Sequence, residues 1–275
     1  METLKVAAIQ TTGSSDKAAN VAQAVALIER AAGEGARLGV LPEMVNWIGP
    51  DEGFGAIAEP IPGPTTEAFQ NAARRSRISL IAGSIAEKGD GTDKSYNTSV
   101  AIDANGEIVA KYRKIHMFDV AIGDQVNETE SDFIEAGTEV VVTELEGHRI
   151  GLSICYDLRF PELFRALADA NCDIMVVPAA WYLFTGKDHW EVLVRARAIE
   201  NQAYVIAACM SGRHPAGVAY GRSMVVNPWG TVLATAQDGP GCAIAEADFD
   251  ELARVRRELP ALASRRLRAT ASVRA

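Results

Sequence analysis

Three reactive side chains follow apolar, strand-like runs of this sequence: a carboxylate, Glu43, an amine, Lys114, and a thiol, Cys155. If the three strands lie side by side, their ends bring the three groups to one edge of a sheet. There a thiolate attacks a carbonyl or nitrile carbon, a carboxylate takes and returns protons, and an ammonium stabilises the developing oxyanion. The combination predicts hydrolysis by nucleophilic catalysis.

Cys155 lies where a buried strand is expected to end, because the run 148–154 is mostly apolar and Pro161 can open a helix shortly afterwards. Strand-to-helix corners are where α/β folds display nucleophiles, since nearby backbone N–H groups are free. A free cysteine is otherwise usually a small buried hydrophobe. We assign that role to the other three cysteines, Cys172, Cys209 and Cys242.

The acidity of these groups is expected to shift in a site shielded from water. Burial should raise the pKa of the Glu43 carboxyl towards a range that suits proton transfer. The Lys114 ammonium should help to keep the Cys155 thiol ionisable.

The segments around these residues closely resemble the three catalytic blocks of the nitrilase superfamily of carbon–nitrogen hydrolases. The similarity covers nearly the whole chain in the same order, and it is strongest to the Nit branch, which includes ω-amidases and deaminated-glutathione amidases. The matching segments are 41–43, 112–119, 154–162, 189–191, 195–202, 227–230 and 256–260.

The resemblance implies a role for each reactive group. Cys155 would be the nucleophile, Glu43 the general base and acid, and Lys114 the oxyanion stabiliser. The backbone N–H of Tyr156 would be a second oxyanion donor.

The family also has a second glutamate, in a Glu-Ser step after the lysine block. Glu130 and Ser131 match this step, and Glu128 is the competing choice. Both acids could also be ordinary loop residues.

Arg159 has two interpretations that the sequence leaves open. Its guanidinium could clamp a substrate carboxylate, as the matching position does in related carbamoyl-amino-acid hydrolases. It could instead pair with Asp157 or Glu162. An aromatic cluster further along could line the acyl pocket, or belong to the core or a subunit contact: Trp181, Tyr182 and Phe184.

The elements that must position these groups alternate between short apolar strands and helices, interrupted by hairpins, which predicts mixed sheets in one domain over residues 1–275. Strands with two apolar faces favour a sandwich covered by helices. Segment 117–136 is polar and is expected to be an irregular loop. The resemblance implies a four-layer αββα sandwich that forms a homodimer or larger homo-oligomer, with 260–275 a tail contacting a partner subunit.

Composition narrows the function further. The net charge of −9, without a basic stripe, argues against nucleic acid as a partner. No uncharged stretch is long enough to span a membrane, and the amino terminus lacks a signal-peptide pattern. The cysteines and the four histidines lack metal-ligand spacing. We therefore expect a cytoplasmic protein without metal or cofactor.

Together these observations predict an amidohydrolase that cleaves a small linear amide through a Cys155 thioester. The expected substrate is an ω-amide of a dicarboxylate, such as α-ketoglutaramate, or deaminated glutathione. The alternatives are an N-carbamoyl amino acid amidohydrolase, a nitrilase, or a catalytically silent scaffold on the same fold.

Overall fold

A computed structural model describes residues 2–50, 53–89, 91, 93–267 and, for the backbone, 273–274. Its helices are α1 Lys17–Gly33, α2 Phe54–Ile57, α3 Pro64–Ser76, α4 Pro161–Asp169, α5 Leu183–Asn201 and α6 Phe249–Glu258. Its strands are β1 Thr3–Gln10, β2 Leu38–Val40, β3 Ser79–Ile81, β4 Ile85–Glu87, β5 Ser95–Ile102, β6 Ile108–Arg113, β7 Asp119–Ile122, β8 Val126–Thr129, β9 Ile134–Glu135, β10 Val140–Leu145, β11 His148–Leu152, β12 Ile174–Ala179, β13 Tyr204–Cys209, β14 Ser211–His214, β15 Gly217–Tyr220, β16 Met224–Val226, β17 Val232–Thr235, β18 Gly241–Asp248 and β19 Val273–Arg274.

Two mixed sheets form the centre of the molecule. The first follows the order β18-β1-β2-β3-β5-β4, with β6 and β9 also paired to β5, and the second follows β17-β16-β13-β12-β11-β10-β19. The strands β1, β2 and β3 are parallel, as are β11, β12 and β13, whereas most of the remaining pairs are antiparallel. The sheets pack face to face through β1 against β13 and β6 against β10.

Helices cover both outer faces of this sandwich. On one side, α1 and α3 pack on each other, and α1 packs on β1 and β18; on the other, α4 and α5 pack on each other and against β10 and β13. The largest apolar cluster lies between the sheets and under α4 and α5, and a second fills the space beneath α1 and α3. The predicted four-layer αββα sandwich is confirmed.

Local sequence explains where α1 begins and which face it buries. Asp16 caps the helix by accepting a 3.0 Å hydrogen bond from the Ala19 N–H, which satisfies one of the otherwise unpaired amides of the first turn. Apolar side chains at helical spacing then face the sheet: Ala24, Leu27, Ile28 and Ala31. None of the helices in the described ranges combines the length and apolar character needed to cross a bilayer.

Two segments differ from the sequence-based prediction. The apolar run 79–85 predicts a single strand, but it is divided between β3 and β4, because Gly83, at φ 60°, turns the chain between them. A side chain at Gly83 would collide with the carbonyl oxygen of Pro42, so glycine allows the close approach behind Glu43. Segment 117–136 is not an irregular loop: it contains the β7–β8 hairpin, a short 3-10 turn and β9.

The predicted tail, 260–275, lies partly outside the described residues, which omit 268–272 and 275. Val273 and Arg274 form β19, which pairs in parallel with β10 of the same chain.

Candidate active site

Glu43, Lys114 and Cys155 line one cavity between the two sheets. Glu43 follows β2 and Lys114 follows β6, both in the first sheet, whereas Cys155 follows β11 in the second. The three groups therefore meet across the sandwich rather than along one sheet edge. All three are buried, with exposed fractions of 5% for Glu43, 2% for Lys114 and 8% for Cys155.

Lys114 is held between two carboxylates. Its Nζ donates to Glu43 Oε1 at 2.9 Å and to the two oxygens of Glu130 at 3.0 and 2.8 Å. Glu130 also accepts a 2.7 Å hydrogen bond from the backbone N–H of Phe118. A buried ammonium with this many acceptors is fixed in position, as an oxyanion stabiliser must be.

Glu128, the competing choice for the second glutamate, lies elsewhere in the cavity lining. Its carboxylate accepts a hydrogen bond from the Tyr182 hydroxyl. It is therefore Glu130, and not Glu128, that the fold places against Lys114.

Cys155 opens a 3-10 turn, 155–159, in a left-handed backbone conformation with φ 47°. A residue with a side chain adopts this conformation only when its surroundings enforce it. The enforcing group is the fully buried Asp157, which accepts a 2.8 Å hydrogen bond from the Ile154 N–H and a 3.1 Å bond from the His116 N–H. The turn thereby presents the thiol to the cavity.

The pKa values of the three groups form one coupled pattern. Burial alone would raise the pKa of Glu43, but the charge of Lys114 and hydrogen bonds from Cys155, Lys114 and the Ala180 N–H lower it below its ordinary value. Burial raises the pKa of the Cys155 thiol well above its ordinary value, and the Glu43 carboxylate adds to that rise. Burial opposes the charge of Lys114, but Glu130 and Glu43 raise its pKa well above the ordinary range.

One expectation about acidity is therefore wrong. The carboxyl of Glu43 is not shifted upwards, because Lys114 and three hydrogen bonds outweigh burial. The Lys114 ammonium does lower the pKa of the Cys155 thiol, as expected, but burial and the Glu43 carboxylate raise that pKa by more. The resting site holds a neutral thiol beside an ionised carboxylate, which is the proton arrangement a general base needs.

Arg159 lies beside this cavity rather than in its lining. Its guanidinium stacks over the Trp181 ring at 4.6 Å and lies 3.2 Å from Nδ1 of His189. Among the described residues, the alternative pairing of Arg159 with Asp157 or Glu162 is not formed. The guanidinium is thus half-buried next to the site, and it has no carboxylate partner among the residues that the structure describes.

The predicted aromatic cluster divides into lining and surface residues. Trp181 and Tyr182 line the cavity, and Trp181 is only 4% exposed. The ring of Tyr156, which follows Cys155, also lines it and packs edge-to-face with Phe118. Phe184 is not a lining residue, because it lies on α5 and is 41% exposed.

Three groups that contact the catalytic carboxylates or line the cavity could not be identified from the sequence. Asn97 donates to Glu43 Oε1 at 2.9 Å and to Glu130 Oε1 at 3.1 Å, although it occurs inside a strand pattern without any flanking signal. The Ala180 backbone N–H donates to Glu43 Oε2 at 3.0 Å, a contact that no residue type reveals. His214 lines the cavity from the β14–β15 hairpin, and its only signal is the nearby Pro-Ala-Gly turn.

No group of three or more potential metal-ligating side chains gathers within the described ranges.

Sequence comparison identifies the family of proteins to which a chain with this site belongs. The model of the carbon–nitrogen hydrolase family matches residues 5–257. The chain belongs to that family, and the predicted resemblance to the nitrilase superfamily is confirmed.

Similar proteins with known names narrow the position of this chain within the family. The chain is 42% identical over 268 residues to human deaminated glutathione amidase, covering 95% of this chain and 82% of that protein. It is 39% identical over 267 residues to human omega-amidase NIT2, covering 97% and 96%. The crystal structure of Saccharomyces cerevisiae Nit3, a member of branch 10 of the nitrilase superfamily, superposes with a TM-score of 0.87 at 34% identity and covers 97% of each chain.

The prediction of an enzyme that hydrolyses amide carbon–nitrogen bonds is therefore confirmed. The comparisons do not favour a carbamoyl hydrolase, a nitrilase or a silent scaffold.

Proposed function

We propose that this protein is a thiol-dependent amidase in which Cys155 attacks the carbonyl carbon of a small linear amide. The single observation that carries the proposal is the convergence of Glu43, Lys114 and Cys155 in one buried cavity. A structural protein gains nothing from burying a lysine between two glutamates beside a thiol, because such burial is costly.

The first half of the reaction forms a thioester. The ionised Glu43 takes the thiol proton as the Cys155 sulfur bonds to the carbonyl carbon, and the electron pair of the carbonyl moves to oxygen. Lys114 and the Tyr156 backbone N–H stabilise that oxyanion. When the carbonyl re-forms, the carbon–nitrogen bond breaks, and Glu43 returns its proton to the departing nitrogen.

The second half restores the enzyme. Water attacks the thioester carbon while Glu43 takes one of its protons, and the same donors stabilise the second oxyanion. Collapse breaks the carbon–sulfur bond, and the proton held by Glu43 returns to the Cys155 sulfur. A primary amide thus gives a carboxylate and ammonia, and a substituted amide gives a carboxylate and an amine.

Glu130 and Asn97 would act as positioning residues. Glu130 holds the ammonium of Lys114 through two oxygens, and Asn97 links Glu130 to Glu43. Both contacts limit the rotation of the catalytic groups between steps, which favours the preorganised geometry that catalysis requires.

The acyl portion of the substrate would carry a carboxylate that pairs with Arg159. This cation is half-buried beside the lining residues Tyr156 and Trp181, whereas Lys114 is already engaged by two carboxylates. The proposal agrees with the relatives named deaminated glutathione amidase and omega-amidase. We infer an ω-amide of a dicarboxylate, or deaminated glutathione, as the substrate.

The decisive experiment measures amide hydrolysis by Cys155→Ala across ω-amides, carbamoyl amino acids and nitriles. We expect the wild type to act on the ω-amides and the variant to be inactive while melting at the wild-type temperature. Cys242→Ala, which removes a thiol distant from the cavity, is the control and should retain activity. Turnover by Cys155→Ala would show that the nucleophile is a different residue.

We further propose a single domain over residues 1–275 that assembles in the cytoplasm as a homodimer or larger homo-oligomer, with 260–275 contacting a partner subunit. Apolar side chains on the outer face of α5 support assembly, since Val192 and Ile199 are 66% and 48% exposed. Light scattering after gel filtration tests this; a monomer at all concentrations would contradict it.

A further inference from the structure

The β14–β15 hairpin forms one wall of the cavity and is fixed there by Tyr182. Gly217, which begins β15, lies against the Tyr182 ring so closely that a Cβ at Gly217 would come within 2.7 Å of Cε1. Tyr182 also forms a backbone bridge with Ala219. This packing places the His214 ring beside Tyr182, with 6.4 Å between the ring centroids.

Both ring nitrogens of His214 are buried, and neither has a hydrogen-bond partner among the described residues. Leaving a buried polar atom unpaired costs about 1–3 kcal/mol, so native structures rarely do so without a reason. Burial also lowers the pKa of His214 to about 4. At neutral pH the ring is therefore uncharged and offers one donor and one acceptor.

A second unpaired group lines the same cavity. Trp181 is 4% exposed, and its Nε1–H, which can only donate, has no acceptor within the described part of the chain. Glu43 carries the proposed proton transfers, so neither His214 nor Trp181 is needed for that chemistry. Their unused hydrogen-bonding capacity points to recognition instead.

We propose that His214 is a specificity-determining residue, which hydrogen-bonds an uncharged polar group of the substrate away from the scissile amide, with Trp181 Nε1–H as a second donor. The inference deepens the proposed amidase function and rests on it. The group is a carbonyl, hydroxyl or amide rather than a carboxylate, because a neutral imidazole lacks charge to offset that of an anion. The carboxylate of Glu128, which bonds to Tyr182 on the same wall, would also repel an anion.

The substrate class that follows is an amide with a second, uncharged hydrogen-bonding group in its acyl or amine portion. A plain alkyl amide would leave His214 and Trp181 unpaired in the complex. Sites that hydrogen-bond a substrate discriminate strongly against analogues that lack the bonded group, for this reason.

The test compares substrate pairs that differ by one uncharged polar group. The first pair, α-ketoglutaramate and glutaramate, differs by a keto group in the acyl portion, and both members carry the carboxylate. The second pair, N-(2-hydroxyethyl)butyramide and N-propylbutyramide, differs by a hydroxyl group in the amine portion. Each measurement is a ratio of kcat/KM values on one enzyme preparation, so the fraction of folded enzyme cancels. Where the apolar amide of a pair turns over too slowly, it is measured as a competitive inhibitor instead. Its inhibition constant is then compared with the KM of the polar amide, both in the wild type and in the variant.

In His214→Phe, we expect the polar-to-apolar ratio to fall about five- to tenfold in at least one pair, as the loss of one hydrogen bond predicts. His214→Gln keeps a donor and an acceptor and should recover most of that ratio. Unchanged ratios in both pairs would overturn the assignment of His214, since a purely structural role lowers all rates together. Failure of the wild type to hydrolyse any of the four amides or deaminated glutathione would instead overturn the amidase proposal, and this inference with it.

Discussion

The Tyr112 hydroxyl donates a 2.6 Å hydrogen bond to a carboxylate oxygen of Asp157, and both side chains are fully buried. Tyr112 lies two residues before Lys114, and Asp157 lies two residues after Cys155. The bond therefore joins the strand that carries the amine to the turn that carries the thiol, across the two sheets. It sets the distance between two reactive groups that no stretch of continuous chain connects directly.

Tyr112→Phe should lower kcat about tenfold and destabilise the fold by about 1–2 kcal/mol, because Asp157 loses one of the bonds that hold the turn of Cys155. Tyr204→Phe is the matched control, since its buried hydroxyl bonds to Asp248 and Glu251 away from the site. That control should lose comparable stability and keep its kcat. Steady-state kinetics measures kcat, and urea unfolding measures the free energy of unfolding of both variants. Equal kcat values for the two variants would rule out a positioning role for Tyr112.

Glu130→Gln should destabilise the protein by about 3 kcal/mol and reduce kcat/KM about a hundredfold. Among the side chains that the structure describes, the buried Lys114 ammonium then keeps only Glu43 as a charged partner. Glu128→Gln is the comparison, because its side chain bonds to Tyr182 and not to Lys114. Chemical unfolding should show a much smaller loss of stability for Glu128→Gln than for Glu130→Gln. The reverse order of losses would identify Glu128 as the second glutamate.

Alkylation of Cys155 by iodoacetamide should accelerate only above the ordinary thiol pKa of 9.0. The pKa of this thiol is raised, so the reactive thiolate is scarce at neutral pH and grows as the pH passes the raised value. Rates from about pH 6 to about pH 10, corrected with Cys155→Ala, give the profile. A rate that is already constant at neutral pH would mean a resting thiolate paired with Lys114.

Arg159→Ala should raise KM at least tenfold for glutaramate, because a charge-assisted bond to the substrate carboxylate is lost. Butyramide, which lacks that carboxylate, should show a much smaller change. Arg159→Lys keeps the charge without the bidentate geometry and should lie in between. Equal increases in KM for the charged and neutral amides would exclude the clamp.

The sequence predicted the parts of the site that depend on local pattern. Glu43, Lys114 and Cys155 each follow an apolar run, because the ends of strands are short-range features of a sequence. The sandwich followed from two-faced apolar strands alternating with helices. The β7–β8 hairpin was missed, since its four-residue strands are too short to show a clear period.

Features that depend on long-range contacts could not be predicted. Asn97 joins the site from the middle of β5, and its role exists only because Glu43 and Glu130 fold against it. The direction of the pKa shift of Glu43 depends in the same way on which groups surround it. Burial alone predicts a rise, whereas Lys114 and the Ala180 N–H reverse the sign.

The protonated state of Cys155 at rest has a consequence for the enzyme's resistance to oxidants. Hydrogen peroxide reacts with thiolates far more readily than with thiols, so sulfenic acid forms slowly at a buried cysteine whose proton is retained. In the proposed mechanism, Glu43 removes that proton only as the sulfur attacks an amide. In that mechanism the sulfur thus becomes strongly nucleophilic only when substrate fills the cavity, and peroxide oxidises it more slowly in the resting enzyme.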